Sequence, residues 1–276
     1  MITQDRLFKF DPGSFRGMVR ILLLSPVLIL LPGCGAETYE QRLQETAQYF
    51  AYVDSRNQAL SGSWTSPTIT MRVPIEFRQM EDPKVSSVEA SADESESPAP
   101  EPVPTIDPRQ PDYADLVLPG LEGAWRAEVP IDLENEATER PAYLYVLSNQ
   151  SLLKEKQTEQ ALNFFNIVNN QIATTFDQFL NPDDFKSERY PDGKGYSNPK
   201  SFTVGTFAPE TPIDGVPYQF QIYLTESGNR QVVILLVIPK NIARGSKLQE
   251  QMGYSLETVE FVKSSSSQSP SKSANF

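Results

Sequence analysis

Seven consecutive apolar residues, VVILLVI at positions 232–238, constrain the fold of this chain more than any other stretch. A strand with one solvent-exposed face alternates apolar and polar residues, so an unbroken apolar run predicts a strand that is covered on both faces. The preceding segment 216–225, VPYQFQIYLT, does alternate, and the turn-like sequence ESGNR links the two. A hairpin of this kind makes the local sheet antiparallel.

Helices must then cover both faces of that sheet. We predict a long helix over 152–180, and a second, shorter helix over 243–253. The first carries an apolar stripe made of Leu162, Phe165, Val168, Ile172, Phe176 and Phe179. Further strands are predicted at 68–74, 121–131, 141–148, 183–190 and 201–207, with an acidic turn at 132–140 and a final strand in 255–261. A sandwich of two sheets is the alternative, but it would need more strands and leave the long helix unexplained.

This order of elements resembles the PsbP/Mog1-type α/β/α sandwich. The resemblance lies in ITMRVPIEF, residues 69–77, and in VVILLVIPKNIARGSKLQEQMGYSLETVEF, residues 232–261, and spans roughly 65–262. It implies an α+β fold with a central antiparallel sheet covered by helices on both faces. It also implies a role in binding partners or assisting assembly, which is what most members of that fold do, and it implies no shared active site.

The N-terminal region contains a short apolar run, Ile21 to Leu31, preceded by Arg20. Eleven helical residues span about 16 Å, roughly half of a bilayer core, which favours a signal peptide over a transmembrane helix. The run ends in Leu31-Pro32-Gly33-Cys34, which resembles the lipobox of bacterial lipoproteins. The resemblance implies cleavage between Gly33 and Cys34 and acylation of Cys34, the only cysteine of the chain.

These features predict the domain organisation. Residues 1–33 form a signal peptide, with Met18 as an alternative start, and 34–63 form a lipid-anchored helical segment. Residues 64–262 form one α/β domain, and 263–276 a disordered tail. The expected location is membrane-anchored, at the periplasmic or outer-membrane face. The alternative is a chance cysteine behind an ordinary secretory signal.

Residues 81–112 are rich in Pro, Ser, Glu and Asp and hold almost no large apolar side chain. Such a segment cannot bury enough surface to offset its chain entropy, so we predict disorder. Strand patterns on both sides favour an insertion within one domain over a linker between two modules. The roughly 40 residues before it are too few for an independent domain.

Several chemistries are excluded. The chain has no histidine, which rules out Ser-His-Asp and Cys-His catalysis and imidazole metal sites. It has no phosphate-binding or nucleotide-binding glycine motif. A formal net charge of −12 repels phosphate backbones and argues against a nucleic-acid partner. We expect no cofactor and no resident metal.

Two groups of residues remain as candidates. Asp183, Asp184, Glu188 and Asp192 could supply a carboxylate pair for glycoside-type hydrolysis, although a helix exit followed by a solvated turn is the favoured explanation. Tyr190 and Tyr196, in ERYPDGKGYSNP, could bind a partner, or could pack their loop onto the sheet.

The prediction for function is a non-enzymatic protein-interaction or assembly module held at the bilayer by acylated Cys34, with a protein partner in the envelope. The alternatives are a carboxylate-dependent hydrolase of an envelope polymer and a carrier of a small ligand.

Overall fold

The structure is a computed structural model that describes residues 36–83, 107–133, 136–192 and 196–263. The chain divides into two compact units, residues 1–53 and 54–276. In chain order the elements are α1 (Ala36–Ala59), β1 (Leu60–Thr65), β2 (Ile69–Pro74), β3 (Arg78–Gln79), β4 (Leu121–Leu133), β5 (Glu136–Ser148), α2 (Gln150–Lys154), α3 (Thr158–Leu162), α4 (Phe164–Thr175), β6 (Lys186–Tyr190), β7 (Lys200–Phe207), β8 (Tyr218–Ser227), β9 (Arg230–Pro239), α5 (Leu248–Glu257) and β10 (Glu260–Phe261). The described part of the first unit lies entirely in α1.

The second unit is a mixed α+β domain with antiparallel sheets. Its larger sheet has seven strands in the order β3-β4-β5-β9-β8-β7-β6, and every neighbouring pair is antiparallel. The apolar run 232–238 lies in β9, the middle strand, and all seven of its residues are buried. The prediction of a central strand covered on both faces is therefore confirmed.

Alternate residues of β9 enter two separate cores, as the two-residue period of a strand requires. Val233, Leu235 and Val237 pack with α4, which contributes Phe164 and Val168 among others. The opposite face of β9 packs against α5 and a smaller sheet, ordered β1-β2-β10. One face of the large sheet is thus covered by helix, and the other by helix and a three-stranded sheet together.

The predicted long helix over 152–180 is wrong: the segment forms three helices, α2, α3 and α4. Lys156, between α2 and α3, has a φ of 61°, in the left-handed region. In a continuous helix the amide of Phe165 would donate to the carbonyl of Ala161. Instead, that amide donates to Oε1 of Gln231, and the carbonyl accepts from Nδ2 of Asn149. The side chains of Asn149, at the end of β5, and Gln231, in β9, thus replace the helical hydrogen bond. Such tertiary contacts leave no signal in the apolar periodicity of the sequence.

Other boundaries also differ from the predictions. The predicted acidic turn 132–140 is mostly strand, because β4 and β5 pair as far as Leu133 and Glu136. β1 was not predicted, and it is an irregular strand with a shift in its pairing to β2 between Leu60 and Ser63. The C-terminal helix is α5, later than the predicted 243–253, and the final strand is reduced to β10.

Three predicted regions lie outside the described residues: the signal peptide with Gly33 and Cys34, the central part of the acidic insertion at 84–106, and the tail from 264. Within the described ranges, none of the helices has the length and apolar character needed to cross a membrane.

Candidate functional site

The four carboxylates predicted as a possible catalytic pair lie on the surface. Asp183 and Asp184 belong to a single turn of 3-10 helix, where their amides bond to the side chain and the carbonyl of Asn181. Glu188 accepts a hydrogen bond from the Tyr190 hydroxyl at 2.7 Å. Among the described residues, no hydrogen bond joins two of these carboxylates, and no group of three or more acidic or cysteine side chains is placed to hold a metal.

The two tyrosines predicted as a partner-binding pair differ in their surroundings. Tyr190 ends β6 and packs edge-on against Phe202 and Tyr223, with ring centroids 5.8 and 6.2 Å away. Burial raises the pKa of the Tyr190 phenol, and the bond to Glu188 acts in the same direction. Tyr196 is 43% exposed. Tyr190 therefore packs its loop onto the sheet, which leaves Tyr196 as the exposed member of the pair.

A buried arginine connects the two ends of the acidic insertion. Nη2 of Arg109 lies 2.7 Å from Oδ2 of Asp107, and Nη1 lies 2.7 Å from Oδ1 of Asp82. Nη1 also donates to the backbone carbonyl of Glu122, in β4, at 3.3 Å. We call Asp82, Asp107 and Arg109 the clasp, because together they hold residues 82 and 107 at one point of β4.

The electrostatics of the clasp favour its ionised form. Hydrogen bonds from Arg109 lower the pKa of Asp107, against the opposing effect of desolvation, and the same bonds raise the pKa of Arg109. Arg109 is 9% exposed, so its charge is largely removed from water. Buried charges are found paired, and the two aspartates supply the pairing here. The prediction of disorder over 81–112 is thus wrong for its two ends.

A second polar cluster adjoins the clasp through Glu122. Oε1 of Glu122 accepts hydrogen bonds from the hydroxyls of Thr68, at 2.6 Å, and Ser148. Oε2 is buried and has no hydrogen-bond partner within the described residues. The cluster joins the start of β2, in the small sheet, to β4 and β5, in the large one. The cluster therefore links the two sheets by hydrogen bonds.

Ser148 is not placed to act as a nucleophile. Its hydroxyl donates to Glu122 and accepts from the amide of Gln150 at 3.2 Å, with the Thr68 hydroxyl a further 3.1 Å neighbour. Its side chain is almost fully buried. The adjoining groove, about 270 Å³, is lined by Glu122, Ser148 and Lys154 among others, and it is open to solvent. The Ser148 side chain and Oε2 of Glu122 are buried, so the arrangement serves to fix the local fold.

Comparisons with known proteins identify no family for this chain. No family model matches the chain, and no curated protein matches it. Among solved structures, one from Bacteroides thetaiotaomicron VPI-5482 is similar at a TM-score of 0.33 and 10% identity, covering 73% of this chain and 48% of that one. The chain spans about half the length of that structure.

The residues of the clasp and of the Glu122 cluster were not predicted from the sequence. Arg109 is the only basic residue between positions 85 and 125, and an isolated cation in an acidic segment was the one signal available. Thr68, Glu122 and Ser148 carry no such signal. They are far apart in sequence, and only the pairing of the two sheets brings them together.

Proposed function

We propose that this protein is an exported lipoprotein, anchored through acylated Cys34, whose α+β domain serves as a non-enzymatic protein-interaction or assembly module. The sequence Leu31-Pro32-Gly33-Cys34 after a short apolar run supports the anchoring. Two or more acyl chains give stable attachment, since each buried methylene contributes about 0.8 kcal/mol.

The clasp is the observation that carries the interaction role. A buried Arg109 holds Asp82 and Asp107, which stand just before and just after the segment 84–106 in the sequence, at one point of β4. A purely spacing linker would have no need of such a fixed base. We infer that 84–106 is presented as a docking segment, with a protein of the envelope as its partner.

The arrangement of layers supports a PsbP/Mog1-like assignment for the domain. A central antiparallel sheet packs against α4 on one face and α5 on the other. The three-stranded sheet beside α5 is an addition to that plan. Since the fold supports many functions, the assignment narrows the role only by analogy.

Anchoring is tested by metabolic labelling with palmitate in a bacterial host, comparing the wild-type chain with Cys34→Ser. We expect label in the wild-type chain alone, and recovery of that chain with the membrane fraction. Label in both chains, or in neither, would overturn the lipoprotein assignment.

The docking role is tested separately by placing a photo-crosslinking amino acid at Glu96, within the segment, in intact envelopes. The control probe replaces Lys240, an exposed residue at the end of β9. We expect a discrete protein adduct from position 96 that is absent from position 240. Absence of any adduct at 96, or identical adducts from both probes, would count against the segment as the docking element.

A further inference from the structure

We draw no further inference here: the strongest candidate, the exposed apolar face that Tyr39, Leu43 and Phe50 form on helix α1, carries nothing because nothing in the described part of the structure shows what covers it.

Discussion

Oδ1 of Asp82 lies 2.7 Å from Nη1 of Arg109, although the two residues are 27 positions apart in sequence. Closing a chain segment of this length costs entropy, which the contacts at its base must offset. Arg109 provides most of them, because it also binds Asp107 through two nitrogens and reaches the carbonyl of Glu122. The side chain of Asp82 is 70% exposed, so its own share is small.

The first prediction concerns the unequal contributions of Arg109 and Asp82 to the stability of the clasp. Arg109→Ala should lower the free energy of unfolding by about 2–3 kcal/mol, because it removes the charged partner of Asp107 and a donor to the carbonyl of Glu122, and leaves Asp107 only the backbone amide of residue 109. Asp82→Asn should cost less than about 1 kcal/mol, since the Asp82 side chain is largely exposed and Arg109 keeps its bonds to Asp107. Chemical denaturation of both variants measures the difference.

Limited proteolysis gives an independent readout for the same pair. Cleavage between residues 107 and 118 should become faster in Arg109→Ala and stay near the wild-type rate in Asp82→Asn, because opening of the clasp exposes that stretch. Equal losses of stability in the two variants would contradict the central role of Arg109.

The second prediction concerns Gly120, the residue before β4, where the backbone passes close to Ser148. Gly120 has a φ of 62°, and a Cβ there would overlap the carbonyl oxygen of Ser148 and press on the ring of Phe164. Gly228, with a φ of 64°, has open space around it. We expect Gly120→Ala to cost about 3 kcal/mol or more, and Gly228→Ala only the conformational penalty of about 1 kcal/mol. Thermal unfolding compares them, and similar losses would mean that the approach at Gly120 relaxes easily.

Much of the fold could be predicted because burial leaves a periodic signal. The run in β9 and the alternation in β8 gave the central hairpin, and β2, β4, β5 and β7 were found near their predicted positions. The break before α4 could not be found in this way. The residues there are helix-compatible, and the break depends on Asn149 and Gln231, whose side chains take over hydrogen bonds of the helix.

The candidate site was harder to predict from the sequence than the fold. Composition correctly marks 81–112 as poor in apolar residues, but composition averages over a segment and cannot identify the one cation that holds its ends. Arg109 is ordered by two acidic neighbours and a backbone carbonyl, and not by a hydrophobic pattern. Ion pairs and hydrogen bonds of this kind form between residues that are close in space. The spacing of residues along a single sequence does not reveal them.

The third prediction separates the two loop tyrosines. Tyr190→Ala should lower stability by about 2–3 kcal/mol, because it removes a ring packed on Phe202 and Tyr223. Tyr190→Phe removes only the exposed bond to Glu188 and should cost less than about 1 kcal/mol. Tyr196→Ala should change stability by less than about 1 kcal/mol, as is usual for exposed positions.

The same variants test partner binding by the loop. Because Tyr196→Ala should leave the fold intact, any loss of crosslinked adducts in that variant would reflect binding and not unfolding. A native-like stability for Tyr190→Ala would contradict the packing role of its ring.

The fourth prediction is an alkaline titration of the tyrosines. Burial raises the pKa of six of them, to about 12 for Tyr218 and further for others; the six are Tyr113, Tyr143, Tyr145, Tyr190, Tyr218 and Tyr223. A folded-state pKa above the unfolded value of 10.0 favours the neutral phenol in the fold. The associated stability is fully present below pH 10 and is lost as the pH rises from there towards the folded-state values.

Phenolate absorbance measures this effect directly. The chain has eleven tyrosines, so at about pH 11 the folded protein should show at most five phenolates, and the denatured chain nearly all eleven. The free energy of unfolding should fall steeply over the same range, and the remaining phenols should ionise together with the loss of circular dichroism. Ionisation of more than five tyrosines while the far-ultraviolet spectrum stays native would mean that the buried phenols reach solvent without unfolding, and that the packing of the sheet around Tyr145 and Tyr223 is looser than the structure indicates.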